Sequence, residues 1–463
     1  MRSATQLTEE VNVVKQPQTR AFRTRIAHIR DFHSDNNAHA NSSLSHKVAQ
    51  QFEYLPDGVI VVEEGKIKTI AKTDELVRHG FDISQCEHLP DYLCCPGFID
   101  AHIHAGQLDV IASFGNQLLE WLERYTFPAE MKFSDEAYAQ VHSERFIQLL
   151  LSNGVTAAMV FTTRFSHHAD TLFQLAGDRN MRMIAGRVMM DRNAPPALCD
   201  TAEKAYAECH ALIQQYHNHK RLGYAITPRF AGTSTREQLT LAGKLLQEVP
   251  DLWMQTHLSE NKSEIRWTKS LFPEADDYLN TYERFGLVQA KSMFAHCIHL
   301  SESEIQRLRE AQCSIAFCPS SNCFLGSGLF PYQQIAQQNI PIALASDVGA
   351  GTSLSPFQTM ADAYKVCQLN GYALDPKEAW YLATLGAAKA LHLDRYIGSL
   401  TAGKEADFIF LNANRSEKVK QRLTECNTID EELFAYMILG DERLIERSHV
   451  HGELQHEQQY LKS

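Results

Sequence analysis

No stretch of this chain keeps up the ~18 consecutive apolar residues that a membrane helix needs, and the first twenty residues hold no apolar core of the secretion-signal kind. The expected location is therefore the cytoplasm. Clustered cations are missing as well: 44 Lys and Arg stand against 56 Asp and Glu, a formal net charge of -12, and the basic residues never gather into a run. Phosphate backbones and anionic surfaces are bound by such runs, so neither nucleic acid nor membrane is an expected partner. Cysteine pairs of the CxxC type are also absent. Eleven cysteines, an odd number in a long chain, lie scattered, which argues against a disulfide framework. Cys313, Cys318 and Cys323 read as reduced packing residues, because structural zinc sites use tighter spacings.

What is present is enough apolar material for a large core: 44% of 463 residues are hydrophobic and 22% charged, which fits one barrel plus a smaller domain. Residues 1–20 form a polar tail. Short strands are expected from Ala21 to about Leu89, in AFRTRIAHIRDF and YLPDGVIVVEEGKIKTIA, with Glu64 and Gly65 at a hairpin turn. The polar stretch between them reads as loop, with His33, His39 and His46 solvated.

From Cys95 onward, eight short apolar runs each lead into a helical or loop segment. They are 96–104, 155–161, 181–190, 222–230, 252–260, 291–300, 313–322 and 340–348. Eight is the number a (β/α)8 barrel requires. The intervening segments beginning at Ser134 and Ser301 carry helical periodicity behind a capping serine. The methionine-rich third run reads as a buried strand. After the barrel, GSLTAGKEADFIFLNA and ERSHVHGELQ return to strand character. The expected architecture is a TIM-type barrel over 94–395 beside a composite β-sandwich domain built from 21–93 and 396–457.

Residues i and i+2 of a strand face the same way, so His102 and His104 present two imidazoles together at the end of the first barrel strand. His257, His296 and Asp347 end the fifth, sixth and eighth strands, and in this fold the strand ends form the active-site rim. Imidazoles with a carboxylate suit a divalent ion, and zinc and ferrous iron both fit. The fourth strand ends at Arg229, which cannot bridge two metals, so one ion is expected. Glu260, three residues beyond His257, is placed to shuttle protons or simply to start a helix. Asp347 has the reach to touch the metal and to take a proton from the attacking water. Gln107 reads equally as a helix cap and as a binding residue, and Arg229 as the partner of a structural carboxylate or of a ligand.

These residues, together with CPGFIDAHIHAGQ, LLEWLERYTFPAE, ITPRFAGTST, QTHLSENKSEI, FCPSSNCFLGSGLF and SDVGAGTSLSP, resemble the guanine deaminases of the amidohydrolase superfamily, from about residue 21 to the C-terminal strand. WLERYTFPAE is the most specific of them. The resemblance implies a cytoplasmic homodimer that hydrolyses guanine to xanthine and ammonia by a metal-activated hydroxide attacking C2. It implies that His102, His104, His257 and Asp347 ligate zinc, and that His296 steadies the developing tetrahedral oxygen. Glu260 would protonate N3 and then the departing amine. Gln107 and Arg229 would recognise the base, Arg229 at the C6 oxygen, with Phe230 packed on the purine face. Sister deaminases of 8-oxoguanine, pterins or other aminated rings share the metal site, and a scaffold that has lost chemistry would lack a ligand or Glu260.

Overall fold

The computed structural model describes residues 19–32, 43–115 and 117–459. Residues 1–18 of the polar tail and residues 33–42, including His33 and His39, lie outside the described residues, while Thr19 and Arg20 already belong to the first strand. Where the 33–50 stretch is described, it differs from the expected loop: Leu44–Gln51 is a helix, capped by the Ser43 side chain on the His46 amide, with Val48 buried and His46 half-buried. Its single apolar anchor left no periodicity to read.

The terminal strands meet in one seven-stranded mixed sheet. Its members are β1 (Thr19–Ile29), β2 (Phe52–Glu63), β3 (Lys66–Lys72), β4 (Glu87–Pro96), β14 (Phe408–Asn412), β15 (Ile445–Val450) and β16 (Glu453–Glu457), in the order β16-β15-β14-β4-β1-β2-β3. Glu64 and Gly65, both at positive φ, turn β2 into β3. Phe22, Ile60, Phe408 and Phe410 pack into this sheet's own core. Two helices not anticipated from the sequence, Glu417–Leu423 and Ile429–Leu439, separate β14 from β15.

All eight apolar runs are barrel strands: β5 (Phe98–His104), β6 (Val155–Phe161), β7 (Arg182–Gly186) with the short β8 (Val188–Met189), β9 (Leu222–Pro228), β10 (Trp253–Leu258), β11 (Ser292–His296), β12 (Ser314–Phe317) and β13 (Ile342–Leu344). They pair in parallel from β5 round to β13. The last seam is stitched by Asp347 N–H to His102 O (2.9 Å) and His104 N–H to Val348 O (3.0 Å). Small side chains such as Ala157, Ala225, Ala295, Ala316 and Ala343 fill the interior with Ile99, Met159 and Trp253. The helix at Glu302–Glu310 opens with a Ser301–Glu304 capping box, as expected. The one at Glu136–Ser152 is capped by Asp135 rather than Ser134, because only the aspartate side chain receives the first-turn amides.

Strand β5 breaks simple alternation. Ile99 and Ala101 pack inside the barrel, whereas Ile103 and Ala105 pack in the outer cluster between strands and helices. The register to β6 shifts between Asp100 and Ile103. This irregularity changes the phase of the strand just before His102, so that both imidazoles join the interior after Ala101 has already done so.

Candidate metal and substrate site

His102 and His104 leave β5 at its C-terminal end, His257 lies near the end of β10, His296 ends β11, and Asp347 follows β13. Donor atoms of His102, His104, His257 and Asp347 all lie within 4.8 Å of one another. Asp347 Oδ1 stands 3.2 Å from Nε2 of both His102 and His104, and the Nε2 atoms of His257 and His104 are 3.3 Å apart. That pair can share one proton, but the four side chains bring several lone-pair donors to a single point, which is the arrangement a cation satisfies. The residues fit such an ion: His102 Nε2 is buried and makes no hydrogen bond, while His257 Nδ1 is fixed on Arg229 O at 2.6 Å, turning its other nitrogen toward the cluster. Burial drives the His104 pKa down to about 3, and burial plus the neighbouring imidazoles push His257 well below its usual value. Neutral rings are the ligand form. Against the upward push of burial, His102 and His104 hold Asp347 well below the carboxylate range.

Backbone strain concentrates here. Ser259, His296, Cys297 and Asp347 all adopt positive φ, a conformation non-glycine residues enter at a cost. Asp100 helps hold the strand ends, its Oδ1 accepting the amides of His102 and Ser346.

His296 Nδ1 meets Asn322 Oδ1 at 2.8 Å, which leaves its buried Nε2 without a partner, 3.5 Å from Glu260 Oε2 and 3.7 Å from Asp347 Oδ2. Ser327 Oγ donates to Glu260 Oε1 at 3.1 Å. Burial first, and the Asp347 charge second, raise the Glu260 pKa to about 8. A carboxyl group poised near neutrality is suited to proton transfer. The helix-start role falls instead to Asn261 and Glu264, which form the capping box of Lys262–Leu271.

His104, Gln107, Arg229, Phe230, His257, Glu260, His296 and Asp347 line one cavity, walled by Leu118, Trp121, Leu122 and Leu325. Every binding and catalytic candidate from the sequence except His102, which sits in the cluster beneath, therefore faces a common space. Gln107 lies in the turn Ala105–Val110, where its side chain caps nothing. The sequence reading missed Glu130, inside the WLERYTFPAE stretch and 1% exposed, whose Oε1 accepts hydrogen bonds from Arg229 (2.7 Å) and Gln107 (3.0 Å). Its place in the most specific of the motifs was the one available signal, since the same stretch also carries the exposed Glu123 and Arg124. Glu264, also lining the cavity and hydrogen-bonded by Tyr278 Oη at 2.6 Å, was not singled out either. All eleven cysteines are free, and Cys318 is buried beside His296 and Asp347.

A family model described as "Amidohydrolase family" matches residues 93–433. The guanine deaminase of Escherichia coli (strain K12) is 45% identical over 411 residues, which cover 89% of this chain and 94% of that one. Among solved structures, E. coli guanine deaminase has a TM-score of 0.90 at 42% identity, covering 96% of this chain and 100% of the other. A guanine deaminase from C. acetobutylicum with guanine bound in its active site has a TM-score of 0.82 at 28% identity, with 94% and 100% covered. The chain belongs to the amidohydrolase family of metal-dependent hydrolases, and within it groups with the guanine deaminases.

Proposed function

We propose that this protein hydrolyses guanine to xanthine and ammonia. One observation carries the reading: the base-recognition candidates Arg229, Gln107 and Phe230 and the proton carrier Glu260 line the same cavity as the His/Asp cluster. The likeness to guanine deaminases, one of them with guanine bound, supports the substrate. His102, His104, His257 and Asp347 would hold a single zinc ion, for which neutral imidazoles and one carboxylate are a suitable donor set. When bound, the ion supplies Lewis acidity that makes water a nucleophile near neutral pH.

The remaining work falls to the chain's own groups. Arg229 presents fixed donors to the C6 oxygen, Gln107 hydrogen-bonds the ring edge, and Phe230 covers a purine face, itself backed by Trp267 at 5.9 Å. Asp347, held ionised, accepts a proton from the attacking water as oxygen bonds to C2. Glu260 enters protonated and gives its proton to N3; as a carboxylate it then takes the remaining proton from the oxygen on C2 and passes it to the amine, so that the C2–N bond breaks, the C2 carbonyl forms and ammonia leaves, and the proton held by Asp347 returns to Glu260. His296, whose buried Nε2 is left without a partner near Glu260 and Asp347, would steady the new oxygen.

The same reading takes residues 94–395 as the catalytic domain, 21–93 with 396–457 as the composite domain, and the working unit as a cytoplasmic homodimer, which sedimentation velocity tests. Purified protein with one equivalent of zinc is expected to convert guanine to xanthine, followed by ultraviolet absorbance and ammonia release. Turnover of another aminated ring without turnover of guanine would overturn the substrate.

A further inference from the structure

The two recognition side chains share a partner that does not itself line the cavity. Glu130 Oε1 receives both Arg229 and Gln107, while Glu130 Oε2 is buried with no partner at all. A buried carboxylate left half satisfied costs folding free energy that an apolar residue there would not, so the fold alone gives no reason for it. Its surroundings come from one short piece of chain. The helix Phe127–Met131 places Phe127 one turn before Glu130, and the Phe127 ring centroid lies 5.7 Å from the Arg229 guanidinium. Arg229 is thus backed by a carboxylate and an aromatic face from the same helix.

A carboxylate only accepts. Gln107 must therefore turn its NH2 toward Glu130, which leaves its carbonyl oxygen to the Gly349 N–H at 3.3 Å. Rotating the amide by half a turn would set oxygen against oxygen at one end and N–H against N–H at the other. Arg229 is tied to the same oxygen at one nitrogen, and its side chain lines the cavity.

We infer that Glu130 is a positioning residue that determines specificity: it locks Arg229 as a donor and Gln107 in one amide orientation, so that the cavity selects a 6-oxo purine over a 6-amino purine. This rests on the functional reading above. A 6-amino group would meet donors with donors, and a site built from fixed polar groups rejects the mismatched ring far better than a hydrophobic pocket does.

The test compares guanine with 2,6-diaminopurine on the zinc-loaded protein. In Glu130→Gln, kcat/KM for guanine is expected to fall about 50-fold or more, chiefly through KM, and the preference for guanine to shrink by at least about tenfold. Glu130→Asp, which keeps the charge but draws it back by one carbon, should restore part of that preference. Should Glu130→Gln not fold, Glu130→Asp alone must show the intermediate loss. Added to Arg229→Met, Glu130→Gln should remove little further selectivity. Unchanged preference, or equal losses for both substrates, would overturn the inference while leaving the function intact. A wild-type protein inactive on guanine would overturn both.

Discussion

The two ends of the barrel each bury a cluster of charges, and they differ in how completely those charges are answered. At the N-terminal end of the strands, Arg182 and Arg221 grip Glu405 (2.5 and 2.7 Å), and Arg221 also holds Asp407 at 2.6 Å. The other Asp407 oxygen takes the His451 amide, and Arg221 NH1 reaches Asn180 O. None of these four side chains has an unpartnered buried atom. At the C-terminal end, His102 Nε2, His104 Nδ1, His296 Nε2 and Glu130 Oε2 are all buried without partners. The first cluster fastens the segment leading into β14 to the barrel floor. The second is complete only with something added, and a surplus of unmet polar atoms is what separates a site from a clamp.

Substitutions at the two ends should therefore fail in different currencies. The largest effect is expected for Asp347→Asn, which removes both a metal donor and the proton acceptor: activity on guanine should fall roughly 10³-fold or more, with zinc content falling alongside. Full zinc occupancy and near-normal rate in that variant would break the contrast. Next comes Glu260→Gln, with kcat reduced about 10²- to 10⁴-fold and zinc content unchanged. Because the wild-type group must be protonated to act, and its pKa is raised to about 8, activity should decline as pH rises through that value. That alkaline limb should be missing from the residual activity of Glu260→Gln. The smallest catalytic effect belongs to the floor: Asp407→Asn should lower unfolding free energy by ~3 kcal/mol, because Arg221 is left with a buried charge only half answered. Its kcat should stay within about twofold of wild type. Denaturant unfolding and steady-state kinetics on one preparation separate the two.

Much of this was legible in the sequence because it is periodic or local. Eight apolar runs became eight strand positions, and the ligand candidates sat at their ends, where the fold puts chemistry. What escaped was set by distance along the chain or by departure from periodicity. Glu130 meets Arg229 across 99 residues, so no spacing rule connects them. The structural-carboxylate reading of Arg229 and the ligand reading turn out to describe one residue with two neighbours, since Arg229 both pairs with Glu130 and lines the cavity. The helix at Leu44–Gln51 has one buried residue, and the helix Ile429–Leu439 gathers its acids in the first turn, at Asp430–Glu432, and is apolar beyond it, so neither shows a clean amphipathic stripe. Asp135 took the cap from Ser134 because one position decides which side chain meets the free amides.

The irregularity in β5 has a consequence for how this barrel tolerates change. A strand counts in twos, and one odd step separates the part of β5 that packs from the part that holds the imidazoles. The two halves thus run on independent clocks. The packing residues Ile99 and Ala101 can be exchanged without turning His102 and His104 as long as Asp100 keeps its hold on the His102 amide, whereas losing a single residue at the step would swing both rings out of the barrel together.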